Sequence, residues 1–358
     1  MSSSKPNLSS VLAVAGLSFA SASFAAPDPN FYVFLAFGQS NMEGFANKSG
    51  DITTADKTSL PRFQVMGATT CSGLQRTKDQ WSPGIAPLFR CNTGLSPVDY
   101  FGRTLVDSLP AAIKIGVVPV AVAGTPIRGF MPNGVGKAYY AGVSGNDAYM
   151  KTIAAEYGGD PYARLVAMGK LAQESGVIKG ILLHQGETDG YKSGWGDSVK
   201  TIYNSLLTDL NVKAADVPLL AGQVYNNAGT NAGIDGLPKI IQTAYVVSSS
   251  GLTLHTADTY NVHFSADSYR EFGKRYAREM LKHIPRTPSD ILTKSVAIGS
   301  NADFVVYDIK GSRVGGFHAT DAHSLETSVA DLRKNLSEGI YWVRNATNGT
   351  SLKIVAGR

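Results

Sequence analysis

The segment that decides the fold is FYVFLAFGQSNM, residues 31–42. Its first seven residues are continuously apolar, which predicts a strand buried on both faces in the middle of a parallel sheet. Gly38 ends the run, and the hydroxyl of Ser40 follows two residues later. In open α/β sheets, ligands bind at the carboxyl ends of the strands. The segment therefore predicts an α/β fold with a candidate functional serine at the edge of its sheet.

Similar apolar runs recur along the chain and alternate with helix-like segments. Further strands are predicted at residues 115–122, 177–183, 217–224 and 252–254, and helices near residues 97–109, 161–175, 198–210, 239–248 and 265–283. Strand followed by helix, repeated about five times, implies parallel strands joined by right-handed crossovers. We therefore predict a three-layer α/β/α sandwich of the flavodoxin-like type, with a central parallel sheet of about five strands.

The pattern changes near the proline-containing residues 285–289. Short alternating segments at residues 304–307, 339–344 and 351–355 predict a small all-β sandwich module. We place an α/β domain at residues 26–285, a linker at 286–296 and this C-terminal module at 297–358.

The first 25 residues have the features of a secretory signal peptide. Lys5 supplies a positive charge, residues 11–19 form a short apolar stretch, and Ser23-Phe24-Ala25 fits the cleavage pattern. The alternative is a disordered serine-rich tail. We predict a signal peptide at residues 1–25 and a secreted or cell-surface protein.

The net charge and the cysteine count bear on which other classes of protein the sequence could represent. The formal net charge of +5 is mild for 358 residues, and no basic run is present, so nucleic-acid binding has little support. No later segment is long and apolar enough to predict a membrane span. Cys71 and Cys91 would form one disulfide in an oxidising compartment or remain two buried thiols. No Cys or His residues stand at the spacing of zinc ligands, so no zinc site is predicted.

Candidate chemistry lies where the predicted strands end. Ser40 follows the first strand, Gly124 the second, and the polar loop HQGETD at residues 184–189 the third; His263 precedes the last helix. Each has a structural alternative: a helix cap, a turn, a satisfied ion pair and a structural histidine. All four segments nevertheless meet at one edge of the predicted sheet, where a base can reach a nucleophile.

These motifs in this order resemble the SGNH (GDSL-like) hydrolases. GQSNM at 38–42, then Gly124, HQGE at 184–187 and VHF at 262–264 are similar to the carbohydrate esterases of family six and to the sialate O-acetylesterase-like group. The resemblance covers about residues 31–283.

The resemblance implies a serine esterase in which Ser40 is the nucleophile and His263 the base. The oxyanion hole would combine the backbone N–H groups of Ser40 and Gly124 with the side chain of Gln185. It implies an acyl-enzyme mechanism that needs no metal and no cofactor.

One position departs from the family pattern. The usual acid lies three residues before the histidine, and that position is Tyr260 here. Glu187 is our preferred replacement, Asp258 is the alternative acid, and a Ser-His dyad without an acid is the third option. An acid would fix the tautomer of His263 and stabilise its imidazolium form.

The resemblance implies acetylated carbohydrate as the substrate, with acetylated xylan, a plant cell-wall polysaccharide, preferred. A sialate O-acetylesterase and a general short-chain esterase are the alternatives among enzymes. A non-catalytic carbohydrate-binding protein on the same fold is the alternative outside them, supported only by the tyrosine at position 260.

A group of side chains after the second and third strands either lines a sugar-binding rim or packs the loops. Its members are Arg128, Phe130, Tyr139, Tyr140, Tyr191 and Trp195.

The C-terminal module carries a resemblance of its own. Residues 306–311, 336–344 and 352–355 are similar to the β-sandwich sorting domains of the type nine secretion system, which implies secretion machinery as a partner. A carbohydrate-binding module is the alternative. Tyr341 and Trp342 are neighbours on a predicted strand, so they point to opposite faces and cannot form one platform together.

Overall fold

The computed structural model describes residues 26–47, 50–190, 192–284, 301–337, 339–347, 349 and 351–356. The predicted signal peptide, the predicted linker and Tyr191 lie outside these residues. Within the described ranges, no helix combines the length and the apolar character needed to cross a membrane.

The α/β region contains seven strands and ten α-helices within those ranges. The strands are β1 (Phe31–Gly38), β2 (Phe63–Met66), β3 (Trp81–Pro83), β4 (Lys114–Ala121), β5 (Val177–His184), β6 (Leu219–Gly222) and β7 (Ala244–Val247). The helices are α1 (Ser40–Glu43), α2 (Thr54–Lys57), α3 (Pro97–Ser108), α4 (Val135–Gly142), α5 (Ala148–Glu156), α6 (Pro161–Gln173), α7 (Trp195–Asp209), α8 (Ala228–Asp235), α9 (Leu237–Ile240) and α10 (Ala266–Met280).

One sheet joins these strands in the order β3-β2-β4-β1-β5-β6-β7. All neighbours are parallel except β3, which pairs antiparallel with β2. The five strands from β4 to β7 have the flavodoxin-like order, so the predicted α/β class is confirmed. Two further strands extend the sheet beyond β4. Both lie between β1 and α3, where no strand is predicted, because three or four residues give too little periodicity to be recognised.

The strand β1 is buried on both faces, as its continuous apolar run predicts. Val33 and Leu35 pack into one hydrophobic cluster with residues of α6 and α7. Tyr32 and Phe34 alternate with them and pack into a second cluster with residues of α3 and α10. The two clusters are the two interfaces of a three-layer sandwich.

The predicted helix at residues 239–248 is wrong. The structure has the short helix α9 and then the strand β7 there, because Ala244–Val247 carries aromatic and β-branched residues that favour a strand. The expected strand at residues 252–254 is reduced to one bridge between Leu254 and Phe264.

The chain reverses its direction of winding between β1 and β5. From β1 it proceeds to β4 on one side, and from β5 it continues through β6 and β7 on the other. Gly38, the last residue of β1, faces His184, the last residue of β5. Gly38 has φ +154, and a Cβ there would lie 2.0 Å from the carbonyl oxygen of His184. The glycine therefore lets the two strand ends meet at the switch point, where such folds bind ligands.

Cys71 and Cys91 are joined by a disulfide, with their Cα atoms 5.3 Å apart. Arg90, the residue before Cys91, is buried and forms ion pairs with Glu43 and with Glu156. The disulfide therefore anchors a loop whose arginine reaches the helix α1 that follows the first strand.

The C-terminal module is a four-stranded antiparallel sheet, β11-β10-β8-β9, made of β8 (Ala302–Asp308), β9 (Arg313–Ala319), β10 (Gly339–Asn345) and β11 (Ser351–Ala356). A helix, α11 (Ala322–Asn335), packs Leu325 and Val329 against the sheet. The antiparallel strands were predicted, but the covering layer is this helix rather than a second sheet. Trp342 on β10 is 44% exposed.

Candidate active site

A chain of hydrogen bonds links three side chains at the switch point of the sheet. The Oγ atom of Ser40 lies 2.8 Å from Nε2 of His263, and Nδ1 of the same ring lies 2.9 Å from Oδ1 of Asp258. Ser40 is the first residue of α1, directly after β1, and His263 lies just before α10. These distances allow proton transfer from the hydroxyl to the imidazole.

A tight turn at residues 258–263 brings Asp258 to the imidazole. One carboxylate oxygen accepts hydrogen bonds from the backbone N–H groups of Val262 and His263, each at 2.7 Å, and the other accepts one from Tyr260 at 3.1 Å. Asn261 has φ 57, in the left-handed region that asparagine tolerates better than most residues. The chain therefore folds back within the turn, so the carboxylate five residues before His263 reaches its ring.

The Asp258 side chain is fully buried. Burial alone would raise the pKa of its carboxyl, but hydrogen bonds from His263 and from three backbone N–H groups outweigh that cost and lower the pKa below its ordinary value. Asp258 is therefore ionised at neutral pH and can hold a proton on Nδ1 of His263.

Glu187, the preferred acid from the sequence, is placed elsewhere. Its Oε1 accepts a hydrogen bond from Nδ2 of Asn41 at 2.6 Å and lies 3.0 Å from Nε2 of His184. Its Oε2 is buried with no hydrogen-bond partner among the described residues. Burial would raise the pKa of Glu187, but the neighbouring His184 and the bond from Asn41 lower it. Glu187 therefore lines the cavity above Ser40 but is bonded to a second, buried histidine, His184, rather than to His263.

The backbone N–H groups of Ser40 and Gly124 fit the expected oxyanion hole. Within the part of the chain that the structure describes, neither donates a hydrogen bond to a protein acceptor. Gly124 has φ +73, and a Cβ there would lie 1.9 Å from the hydroxyl of Tyr149. Thr188 donates a hydrogen bond to the carbonyl of Gly124 at 2.9 Å, and Glu43 accepts one from the N–H of Ala123. These bonds hold the two peptides on either side of the one that carries the Gly124 N–H.

The structure does not bring the Gln185 amide to this position. Its Nε2 donates hydrogen bonds to Asp189 and to the carbonyl of Thr125, and it lies 3.2 Å from Oε1 of Gln39. Its Oε1 accepts a 2.5 Å hydrogen bond from Nε1 of Trp195. The side chain is buried, and all its polar atoms are used within the protein, so it braces the loop after β5.

Gln39, the residue before the serine, is oriented by the same loop. Its Oε1 lies 3.2 to 3.4 Å from three donors, Nε2 of Gln185 and the N–H groups of Gly186 and Thr188. Gln39 also lines the cavity above Ser40. Since its carbonyl oxygen is held in the wall, its NH₂ group is the part of the amide available to the cavity.

The catalytic cavity has a volume of about 530 Å³. Its lining includes Gln39, Ser40, Phe45, Gly124, Asp147, Tyr149, Thr188, Tyr260 and His263. Phe45 stacks on the His263 ring, with centroids 4.0 Å apart and planes within 5°. Tyr149 and Tyr260 are exposed at 48% and 75%. No group of three or more His, Cys, Asp or Glu side chains within the described ranges is arranged to hold a metal ion.

Several residues of this cavity were missed in the sequence. Phe45, in a loop, and Tyr149, at the start of α5, belong to no recognisable chemical pattern. Gln39 lies within the GQSNM motif, in which only Ser40 and the backbone carry an expected role. Among the side chains predicted either to line a sugar-binding rim or to pack the loops, Phe130, Tyr140 and Trp195 are buried in the core, so packing is the alternative that holds for them. Arg128 and Tyr139 line a neighbouring cavity.

Solved structures and one family profile match this chain. A protein from Arabidopsis thaliana, AT4G34215, is similar with a TM-score of 0.54 and 19% identity, covering 72% of this chain and 100% of that one. XAC1771, a carbohydrate acetylesterase from Xanthomonas citri, has a TM-score of 0.49 and 14% identity, covering 89% of this chain and 74% of that one.

The profile of one family, described as carbohydrate esterase, sialic acid-specific acetylesterase, matches residues 30–282. That range spans the whole sheet, from β1 through β7, together with α10. The chain therefore belongs to this family of carbohydrate esterases, and it is a carbohydrate acetylesterase.

Proposed function

We propose that the protein removes O-acetyl groups from acetylated xylan by a serine acyl-enzyme mechanism. The observation that carries the mechanism is the hydrogen-bonded sequence of Ser40, His263 and Asp258 at the floor of an open cavity. A nucleophile, a base and an orienting acid within hydrogen-bond reach form the arrangement that acyl transfer requires.

In the first step, Nε2 of His263 takes the proton from Oγ of Ser40 as the oxygen attacks the acetyl carbonyl carbon. Asp258 holds the proton on Nδ1 and stabilises the imidazolium that forms. The carbonyl π electrons move to the oxygen, which becomes an oxyanion. Collapse of this intermediate breaks the bond to the sugar oxygen, and His263 returns its proton to that leaving oxygen.

In the second step, water attacks the acetyl-Ser40 ester, and His263 acts first as base and then as acid. Acetate and free Ser40 result. The donors to the oxyanion are the N–H groups of Ser40 and Gly124, together with Nε2 of Gln39. Preorganised donors of this kind stabilise the charge that develops in both steps.

The choice of xylan rests on the resemblance of GQSNM and HQGE to the family-six esterases. The open mouth of the cavity, flanked by Tyr149 and Tyr260, supports a sugar substrate because aromatic faces suit the apolar faces of sugars. An O-acetylated sialic acid is the second candidate, and the matching family description favours it.

We also propose that the protein acts outside the cytoplasm, at the cell surface or after release. The support is the signal-peptide pattern of residues 1–25 and the disulfide between Cys71 and Cys91, which suits an oxidising compartment. The C-terminal module is proposed to engage secretion machinery.

The decisive experiment measures acetate released from acetylated xylan and from 4-nitrophenyl acetate. Ser40→Ala is expected to lose activity on both, and Asp258→Ala to lower kcat by about 10³-fold to 10⁴-fold. Asp107→Ala removes an exposed carboxylate on α3 and serves as the matched control. An active Ser40→Ala enzyme would contradict the mechanism. Hydrolysis of O-acetylsialic acid but not of acetylated xylan would show that O-acetylated sialic acid, the second candidate, is the substrate.

A further inference from the structure

A second cavity, which we call the flanking cavity, adjoins the catalytic cavity. It has a volume of about 470 Å³ and is lined by residues that include Arg128, Tyr139, Ser144 and Asp147. Asp147 also lines the catalytic cavity, so one side chain forms a wall of both. Tyr149, two residues later, is the residue whose hydroxyl covers Gly124. The two cavities therefore lie next to each other at the segment that leads into α5.

The polar groups of the flanking cavity are available to a ligand. The guanidinium of Arg128 and the carboxylate of Asp147 form no hydrogen bond or ion pair with another residue that the structure describes, and both residues are exposed. One cation and one anion give the cavity no net charge. Such a pair suits a ligand with several neutral hydroxyl groups, because hydroxyls accept from the guanidinium and donate to the carboxylate.

The aromatic wall of the flanking cavity is held rigidly. The ring of Tyr139 packs edge-on against the buried ring of Tyr140, with centroids 5.2 Å apart, and its hydroxyl lies 3.8 Å from Sδ of Met150. Both contacts fix the ring without occupying the cavity. An ordered aromatic wall beside hydroxyl-binding groups is a surface that a pyranose ring fits, and the volume lies in the range of small-molecule sites.

We propose that the flanking cavity is a subsite for a second, neutral sugar residue of the substrate. The enzyme would then favour acetyl groups on oligosaccharides and polysaccharides over the same groups on single sugars. This inference rests on the proposed function, since the catalytic cavity must hold the acetylated residue while the flanking cavity binds its neighbour.

The test compares kcat/KM for acetylated xylotriose with that for acetylated methyl xyloside. The wild type is expected to prefer the trisaccharide by on the order of tenfold or more, because only the longer substrate reaches the flanking cavity. Arg128→Met and Tyr139→Leu are each expected to bring this ratio close to one. Hydrolysis of 4-nitrophenyl acetate should stay unchanged in both variants, since neither residue lines the catalytic cavity.

Lys137→Met is the matched control. Lys137 is exposed on α4, the helix that carries Tyr139, and is not part of the cavity lining. It should keep the wild-type ratio. Arg128 is exposed, so its variant tests the subsite even if Tyr139→Leu, which alters a half-buried residue, fails to fold. A wild-type ratio near one, or a ratio that Arg128→Met leaves unchanged, would overturn the inference.

The experiment distinguishes a wrong substrate from a wrong subsite. If 4-nitrophenyl acetate is hydrolysed and both xylose esters are not, xylan is the wrong substrate. The same ratio is then measured with O-acetylsialic acid linked to an oligosaccharide and with the free sugar. A preference for the linked form that Arg128→Met abolishes supports the subsite, and equal rates overturn it.

Discussion

Two buried carboxylates lie close to the nucleophile, and each is bound to a different histidine. Asp258 orients the ring that contacts Ser40, whereas Glu187 is bonded to His184 and Asn41. Asn41 also donates a hydrogen bond to the carbonyl of Val262, at 2.8 Å. Glu187 therefore holds the nucleophile helix and the histidine turn together without touching the reacting groups.

Glu187→Gln is therefore expected to affect stability more than catalysis. The amide keeps the shape of the side chain but loses the charge beside His184, which should lower the free energy of unfolding by about 2 kcal/mol. The kcat should fall less than tenfold, far less than in Asp258→Ala. Urea unfolding and acetate release on the same preparation check both values. A loss of kcat equal to that of Asp258→Ala, with unchanged stability, would instead make Glu187 part of the proton-transfer machinery.

Gln39 allows a sharper test of the oxyanion hole. Gln39→Glu keeps the oxygen that accepts from Gly186 and Thr188 but replaces the NH₂ donor by an oxygen. We expect kcat to fall about 10²-fold to 10³-fold, as when one oxyanion donor is removed, with little change in melting temperature. Gln39→Met removes donor and acceptor together and should also lower the melting temperature. Activity of Gln39→Glu within threefold of wild type would exclude Nε2 as a donor.

At the scale of single elements, the start of α3 combines a regular cap with an unusual charge. Ser96 and Asp99 form a capping box, in which Oδ2 of Asp99 accepts from the N–H and the hydroxyl of Ser96. The other oxygen of Asp99 is buried with no partner among the described residues. Burial raises the pKa of Asp99 to about 6, although the bonds from Ser96 oppose the shift.

The sign of this shift predicts how stability varies with pH. Between the unfolded pKa, about 3.9, and the folded value near 6, the folded state holds more protons. The contribution of Asp99 to stability is therefore full below pH 4 and is lost as the pH rises through 6. Asp99→Asn keeps an acceptor for Ser96 and cannot ionise.

We expect the stability of Asp99→Asn relative to wild type to rise by about 2–3 kcal/mol between pH 4 and pH 8, since one pKa unit corresponds to about 1.4 kcal/mol. Urea unfolding of both proteins across this range measures the difference, in which the other titrating groups cancel. A difference independent of pH would show that Asp99 titrates normally.

Elements differ in how well the sequence predicts them. The strands β1, β4 and β5 are long apolar runs, so their position and burial follow from the sequence. The turn at residues 258–263 does not, because its course depends on the left-handed conformation of Asn261 and on bonds that form only after folding. The sequence could therefore name Asp258 as an alternative but could not rank it above Glu187. The helix α11 repeats Leu325, Val329 and Leu332 at helical spacing, so its signal is present in the sequence between the strand segments.

At the scale of the whole molecule, the order of the strands determines the site. Parallel strands with crossover helices place the ends of β1 and β4 and the segment between β7 and α10 at one edge, so Ser40, Gly124 and His263 could be grouped from sequence alone. The cavity walls could not be predicted, because Phe45 and Tyr260 lie in loops, and Tyr149 at the start of α5, whose paths no periodicity determines.

The disulfide between Cys71 and Cys91 is the one covalent cross-link within the described residues, and it lies in the stretch between β2 and α3. It closes a loop with a sequence separation of 20 residues, so loop-closure entropy predicts that Cys71→Ser with Cys91→Ser lowers the free energy of unfolding by about 3 kcal/mol. Thermal unfolding of the oxidised and the double-variant proteins measures this loss. A melting temperature that the variant shares with wild type would show that the disulfide does not restrict the unfolded chain.

The indole of Trp195 has a consequence for observing the enzyme at work. The chain has three tryptophans; Trp195 is buried with its N–H bonded to Gln185, whereas Trp342 in the C-terminal module is exposed. A buried indole emits at shorter wavelength than one in water, so the two parts of the chain differ in fluorescence colour. With Trp342 and Trp81 replaced by phenylalanine, the remaining emission would come from the first residue of α7, whose indole N–H is bonded to Gln185 in the loop after β5. Stopped-flow fluorescence of that single-tryptophan protein would then record, in real time, whether the loop moves when acetyl-Ser40 forms.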